Sequence, residues 1–340
     1  MTDDERVPGL KRILGSGVPG EAIAFYGRWW QLETWLREMV YVELRSRYGA
    51  AWTGELHEIA HKRAKGEDRN FYMTSADSEE LLAYADVSAL FGLIQARWPL
   101  FETLLPPRRR WEGVADELRE LRNRNAHCRR PHQDDLTRLA QALRDLEAGA
   151  WRFYTSYLDT QVVTKSRDPV ARSWVAGRHS TAMRLLKHAE RQYETRFRLS
   201  YSARPWATLP AVDEISGTAG VLWHAHWVIG GRDLNVVRLW KEIERGRAQR
   251  DLIVHLLFDI GSVTATFAAV DDPDAIADAV GHVFDAILTE SRPAHPGADP
   301  ETWGASWTRG AELLPRCVQV NTPLTLVDPY LPNAFAIFAA

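Results

Sequence analysis

The amino-acid sequence predicts an α+β chain, an all-helical bundle in its first half followed by a mixed α+β domain, and three observations carry that expectation. Apolar positions recur at three- and four-residue steps from residue 21 to about residue 160, the period of helices with one inward face. Beyond about Val162 the texture changes to runs rich in apolar and β-branched residues, 221–229 and 252–260, interrupted by Gly230-Gly231 and Gly261. Finally, 340 residues with 45% hydrophobic content and 14 Trp suffice for two packed cores rather than one. The expected organisation is a leader over 1–19, a bundle over 20–160 and a C-terminal α+β domain over 165–340.

Each element has its own signal. Residues 1–19 hold Pro8, Gly15, Gly17 and Pro19, which break regular structure. A long first helix follows over 21–48, with Phe25, Trp29, Leu32, Leu36, Met39 and Val40 on its inward face and Gly49 at its C-terminal cap. A shorter helix is expected over 53–65, ended by Gly66-Glu67-Asp68. Asp77 and Glu80 resemble a capping box opening a third helix through Leu81, Leu90 and Ile94, stopped by Pro99. Past Pro106-Pro107 a fourth helix carries Trp111, Val114, Leu118 and Leu121, and Asp134-Asp135 open a fifth through Leu139, Leu143 and Leu146. In the second half, strands are expected at 221–229 and 252–260, with helices at 235–245 and, after Asp271-Asp272-Pro273, at 274–289.

Composition narrows the function. No run approaches the roughly 18 to 20 uncharged apolar residues needed to span a bilayer, and the acidic start does not read as a signal peptide, so a cytoplasmic protein is expected. Two cysteines, Cys128 and Cys317, make neither a disulfide framework nor a four-thiolate zinc site. A net charge of -3 excludes a surface that coats nucleic acid everywhere, so any RNA contact is local. One stretch reverses that deficit: between Arg108 and His132 eight Arg face four acids.

Within it lies Leu118-Arg-Glu-Leu-Arg122-Asn123-Arg124-Asn125-Ala126-His127, at the junction of two amphipathic helices. Asn123 and His127 are four apart and stack on one helix face, while Arg122 lies about 140° around and reaches back with its long arm. A metal-independent ribonuclease needs a group that moves protons near neutral pH and a cation beside the charge growing on the phosphorus oxygens; His and Arg suit those tasks. His127 is then the general acid or base at the ribose 2′-hydroxyl or leaving 5′-oxygen. Arg122 stabilises the transition state and Asn123 orients either of them. The product is a 2′,3′-cyclic phosphate, and Arg119, Arg124, Arg129 and Arg130 are candidates to hold the RNA.

Arg-Asn followed by three residues and His, together with the preceding Leu81-Leu-Ala-Tyr-Ala-Asp-Val-Ser-Ala-Leu and Trp98-Pro-Leu-Phe101, resembles the HEPN domains found on RNA-quality-control endonucleases and bacterial defence proteins. The resemblance covers roughly residues 20–160. It implies a homodimer whose paired motifs form a composite cleft and an endoribonuclease acting as a toxin or anti-phage effector; separately from the resemblance, no cofactor is expected, and the C-terminal domain is expected to take a regulatory partner or ligand. HEPN toxins silenced by nucleotidyl transfer carry Tyr two residues after the His. Here that position is Arg129.

Rival strings exist. His57-Glu58-Ile-Ala-His61 places two imidazoles on one helix face with Glu58 as a candidate base, the pattern of a zinc peptidase, against the simpler reading of a surface helix. A catalytically silent HEPN scaffold or nucleotide sensor is a further alternative. Arg250-Asp-Leu-Ile-Val-His255 also satisfies the bare HEPN spacing but sits in an expected strand, where a core histidine beside a surface arginine is the expected reading. His224 and His226 face one side of a strand, as a metal pair or as packing. Arg108-Arg-Arg110 grips phosphate or is a solvated helix start, and Trp29 and Trp30 are read as core.

Overall fold

The computed structural model describes residues 19–56, 58–68, 81–127, 129, 132–229, 232–259, 261–293 and 315–320. They fall into two compact units, one holding the described residues of Met1–Met39 and Asp86–Arg152, the other those of Val40–Ala85 and Phe153–Thr325. Helices over the described residues of the N-terminal half and a sheet in the C-terminal part make the chain α+β, as expected.

The helices are α1 (Gly20–Tyr48), α2 (Glu58–Asp68), α3 (Val87–Ala96), α4 (Arg108–Ala126) and α5 (Asp135–Leu158), with 3-10 turns at Gly49–Glu55, Leu81–Tyr84 and Trp98–Leu100. In the first unit α3 and α4 meet through Phe91 and Trp111, edge to face with centroids 5.3 Å apart. Leu118 and Leu121 of α4 and Leu139, Leu143 and Leu146 of α5 are buried as their spacing demands. Gly149 allows α5 to pass against the chain at Leu104: a Cβ there would lie 1.7 Å from the Leu104 carbonyl oxygen. Trp29 is buried, but Trp30, also read as core, is 61% exposed beside exposed Tyr26, because consecutive helical residues point about 100° apart.

Two helix starts differ from expectation. α3 opens six residues past Leu81 because the Asp86 side chain accepts the Ala89 N–H at 2.9 Å and caps it there; Asp77 and Glu80 lie outside the described residues. The helix expected over 53–65 divides into the turn Gly49–Glu55 and α2, which runs through Gly66. Gly49 supplies the left-handed backbone, φ +59°, that ends α1.

The second unit carries β1 (Gln161–Val162), α6 (Pro169–Trp174), α7 (Ala182–Tyr193), β2 (Thr195–Ala203), β3 (Val221–Ile229), β4 (Arg232–Leu234), α8 (Val236–Glu244), α9 (Arg247–Arg250), β5 (Ile253–Asp259), β6 (Ser262–Ala268), α10 (Pro273–Glu290), β7 (Ser291–Pro293) and β8 (Val318–Val320). The main sheet runs β1-β2-β3-β6-β5-β8, antiparallel except for the β5–β8 pair, and β4 pairs with β7. Helices α6, α8 and α10 start where Asp168, Asn235 and Asp272 accept a first-turn N–H.

The sheet has two unlike faces. Phe197, Leu199, Trp223, Trp227 and Phe267 join residues of α6, α7, α8 and α10 in one apolar core. The other face is polar: Ser200, His224, Thr266 and His255 stand side by side on four strands, and Arg198, His226 and Thr264 form the next row. A register shift between Ile253 and His255 swaps the side-chain parity of β5 and turns His255 to that polar face.

Much of it is sealed. Glu43 and Arg204 are fully buried and joined at 2.6 Å; Trp206 Nε1 donates to the same carboxylate at 2.7 Å, and the guanidinium lies over the Phe153 ring. Tyr157 bonds His255 Nδ1 at 2.9 Å, and His224 bonds Ser202 and Thr266 at 2.8 and 3.0 Å. His224 and His226 do share a face, but each is tied to its own hydroxyl, His226 to Thr264 at 2.8 Å.

Candidate active site

The candidate residues occupy the C-terminal end of α4, and the helix's buried stripe explains their exposure. From Leu121, an inward residue, Arg122 is rotated about 100°, Asn123 about 200° and His127 about 240°. Arg122 is accordingly half-buried on the flank, whereas Asn123 and His127 are exposed on the far side. The helix ends at Ala126 and His127 is its C-cap, φ -90° and ψ 17°, its N–H still bonded to the Asn123 carbonyl at 3.2 Å. That bond keeps His127 one turn above Asn123, the separation at which side chains four apart meet, about 5–6 Å between Cβ atoms.

The loop that follows is anchored by one acid. Asp135, 5% exposed, accepts Arg124 Nη1 through one oxygen and the His132 N–H, at 3.0 Å, through the other. The Arg129 N–H bonds the Arg124 carbonyl at 3.1 Å. Arg124, a candidate for RNA, is thus engaged in holding the turn from α4 into α5, and the chain between its two anchors carries His127 and Arg129.

The neighbouring charges are mostly paired. Arg108 pairs with Glu112, Arg110 with Asp145, Arg138 with Glu117, and Arg119 with Asp116 while lying over the Phe91 ring. Among the described residues, Arg122 and Arg129 make no ion pair, and the side chains of Asn123 and His127 make no hydrogen bond. Arg130 and Cys128 lie outside the described residues. Half-buried Arg122 and exposed Arg129 and His127 therefore lie at one helix end; of the nearby acids Asp116 and Glu117 are held by other arginines, while exposed Glu120 makes no ion pair among the described residues. This suits a phosphate group, whose charge needs cations and whose chemistry needs a proton carrier.

Of the rival strings, His57 lies outside the described residues, and His61 contacts the Thr53 carbonyl at 3.3 Å. Among the described residues no three His, Cys, Asp or Glu side chains are gathered as a metal site. His255 of the second Arg–His match is buried on β5, and Arg250 ends α9.

Residues 30–148 match the family model described as Swt1-like HEPN. This part of the chain is a HEPN domain. The match begins within α1, ends within α5 and includes Arg122, Asn123 and His127. HEPN domains are typically ribonuclease-related, which places the chain coarsely among candidate nucleases. No curated protein matches the chain, and no solved structure does. No helix among the described residues is long and apolar enough to cross a membrane.

Proposed function

We propose that the protein is a metal-independent endoribonuclease of the HEPN type, acting in the cytoplasm as a toxin or anti-phage effector. The observation that supports this reading most is the end of α4. His127 and Asn123 are exposed on adjacent turns, beside Arg122 and Arg129, which make no ion pair among the described residues. His127 moves the proton of the 2′-hydroxyl or of the departing 5′-oxygen. Arg122 balances the charge that develops on the phosphorus oxygens, Asn123 orients the reacting groups, and Arg129 adds to the binding of the strand. The 2′-oxygen attacks its own phosphorus and the 5′-oxygen departs, leaving 2′,3′-cyclic phosphate and 5′-hydroxyl ends. Two copies pair through residues 20–160 to join their motifs in one cleft, and residues 165–340 carry the regulatory ligand or partner.

The test is incubation of the purified chain with total cellular RNA in EDTA, beside the Arg122→Ala/His127→Ala chain, with the fragment ends analysed. Cleavage by the wild type alone, with cyclic-phosphate ends, is expected. Equal cleavage by both chains would overturn the reading.

A further inference from the structure

The polar face of the main sheet is only half sealed. The row Ser200, His224, Thr266, His255 is buried with Tyr157, yet the next rows toward the start of β2 open to solvent. There Arg196 and Arg198 are exposed, two residues apart on β2 and so on one face, about 6.8 Å apart along the strand. That is about the separation of neighbouring phosphates in an extended strand. Arg198 stands directly opposite His226 on β3, and His226 opposite Thr264 on β6. His226 Nδ1 is hydrogen-bonded to the Thr264 hydroxyl at 2.8 Å, and in the tautomer in which Nδ1 accepts, Nε2 carries the ring proton as a donor.

The arrangement is unfavourable as it stands. Arg196 and Arg198 are like charges on one face, and burial and the Arg198 charge both lower the pKa of His226, with Asp259 opposing them, which favours its neutral ring. Asp259 belongs to β5, two strands from β3, and faces Ser262 rather than either arginine. Neither Arg196 nor Arg198 has an ion-pair partner among the described residues. Arginines drawn into the interior of this unit have partners: Arg204 has Glu43, Arg45 the carbonyls of Gly49, Asp251 and Leu252, and half-buried Arg232 has Ser291 and the Tyr193 ring. Other exposed arginines of the unit also lack ion-pair partners among the described residues, but Arg196 and Arg198 stand two residues apart on one sheet face, where their like charges repel and a bound anion would relieve the repulsion.

We propose that this open half of the sheet binds the phosphodiester backbone of single-stranded RNA. Arg196 and Arg198 take successive phosphates, and His226, steadied by Thr264, donates to a phosphate or 2′-hydroxyl oxygen. The ribonuclease reading above supplies only the identity of the strand as RNA; the site itself stands on the sheet geometry. It gives the C-terminal unit a substrate-holding task separate from the chemistry at α4.

The test uses the full-length chain carrying Arg122→Ala/His127→Ala, so that RNA survives, and a short fluorescein-labelled single-stranded RNA followed by anisotropy over a salt series. Adding Arg196→Ala/Arg198→Ala is expected to weaken low-salt binding at least about tenfold. It should also reduce the slope of log K against log salt by about 1.4, since each phosphate contact on a single strand contributes about 0.7. Arg196→Lys/Arg198→Lys should keep most of the slope, because the charge remains. Unchanged affinity and slope in the alanine chain, with its circular dichroism unaltered, would overturn the proposal. Equal competition by an acidic polypeptide of matched charge would overturn it in favour of a protein partner. The readout needs no cleavage, so a failed nuclease reading and a failed binding site remain distinguishable.

Discussion

Arg122 with His127 and Arg250 with His255 satisfy the same spacing, yet they sit in opposite physical situations. His127 caps an exposed helix end and its ring bonds no described residue. His255 is enclosed on β5 and bonded to Tyr157, within a buried cluster that includes the Glu43–Arg204 pair. Identical residue types are reagents where they are exposed and uncommitted, and framework where they are buried and bonded to their neighbours, because a buried group without a partner is costly. Spacing selects candidates; burial and partnership separate the two uses.

The largest effect expected at either region is on catalysis. His127→Ala should lower the RNA cleavage rate by about 10²–10⁴-fold, the usual contribution of a general acid or base, while thermal unfolding stays within about a degree or two. A melting temperature that falls along with activity would move His127 to the framework side. Glu43→Ala tests the framework itself. It leaves the Arg204 guanidinium buried without its carboxylate and should cost about 3–5 kcal/mol by urea denaturation. A loss below about 1 kcal/mol would mean that water reaches Arg204.

Acid should act on the buried cluster rather than on α4. Burial, then the charges of Arg204 and His255, push the pKa of His224 down to about 3. The unfolded chain takes up that proton near 6.5 and the folded chain refuses it, so stability is intact above about pH 6.5 and drains as pH falls toward 3, on the order of 4 kcal/mol in all. His224→Gln should flatten this dependence in a urea series at several pH values. An unchanged slope would assign acid lability to other groups.

The smallest effect concerns the anchor of the site. Asp135→Asn keeps the cap on the His132 N–H and weakens the hold on Arg124. It is expected to lower kcat about tenfold with KM nearly unchanged, since it displaces His127 rather than a binding group. Arg124→Lys should lower kcat in the same way, the guanidinium fork that meets Asp135 being absent. A rise in KM alone would instead make Arg124 an RNA contact.

The long helices were legible because a three-to-four-residue apolar period needs no partner to be recognised, and α1, α4, α5 and α10 stand close to where the pattern placed them. Strands β2 and β6 lie outside the expected strands although their alternation is present in the sequence: Phe197, Leu199 and Tyr201 alternate with Arg196, Arg198, Ser200 and Ser202, and Val263, Ala265 and Phe267 with Ser262, Thr264 and Thr266. Strand β8, three residues paired in parallel with β5, carries no local pattern and depends on its neighbour for its existence.

By itself the sequence determined the two textures, helical then mixed, the caps at Asn235 and Asp272, and the Arg-Asn-x-x-x-His string on an amphipathic helix. Those are local properties, set by residues within a turn or two of each other. Tertiary structure alone decided that Glu43 meets Arg204 across 161 residues, that Asp135 anchors Arg124, and that of two Arg–His matches one is exposed and the other sealed. Burial and charge pairing are relations between distant segments, and a linear spacing does not contain them.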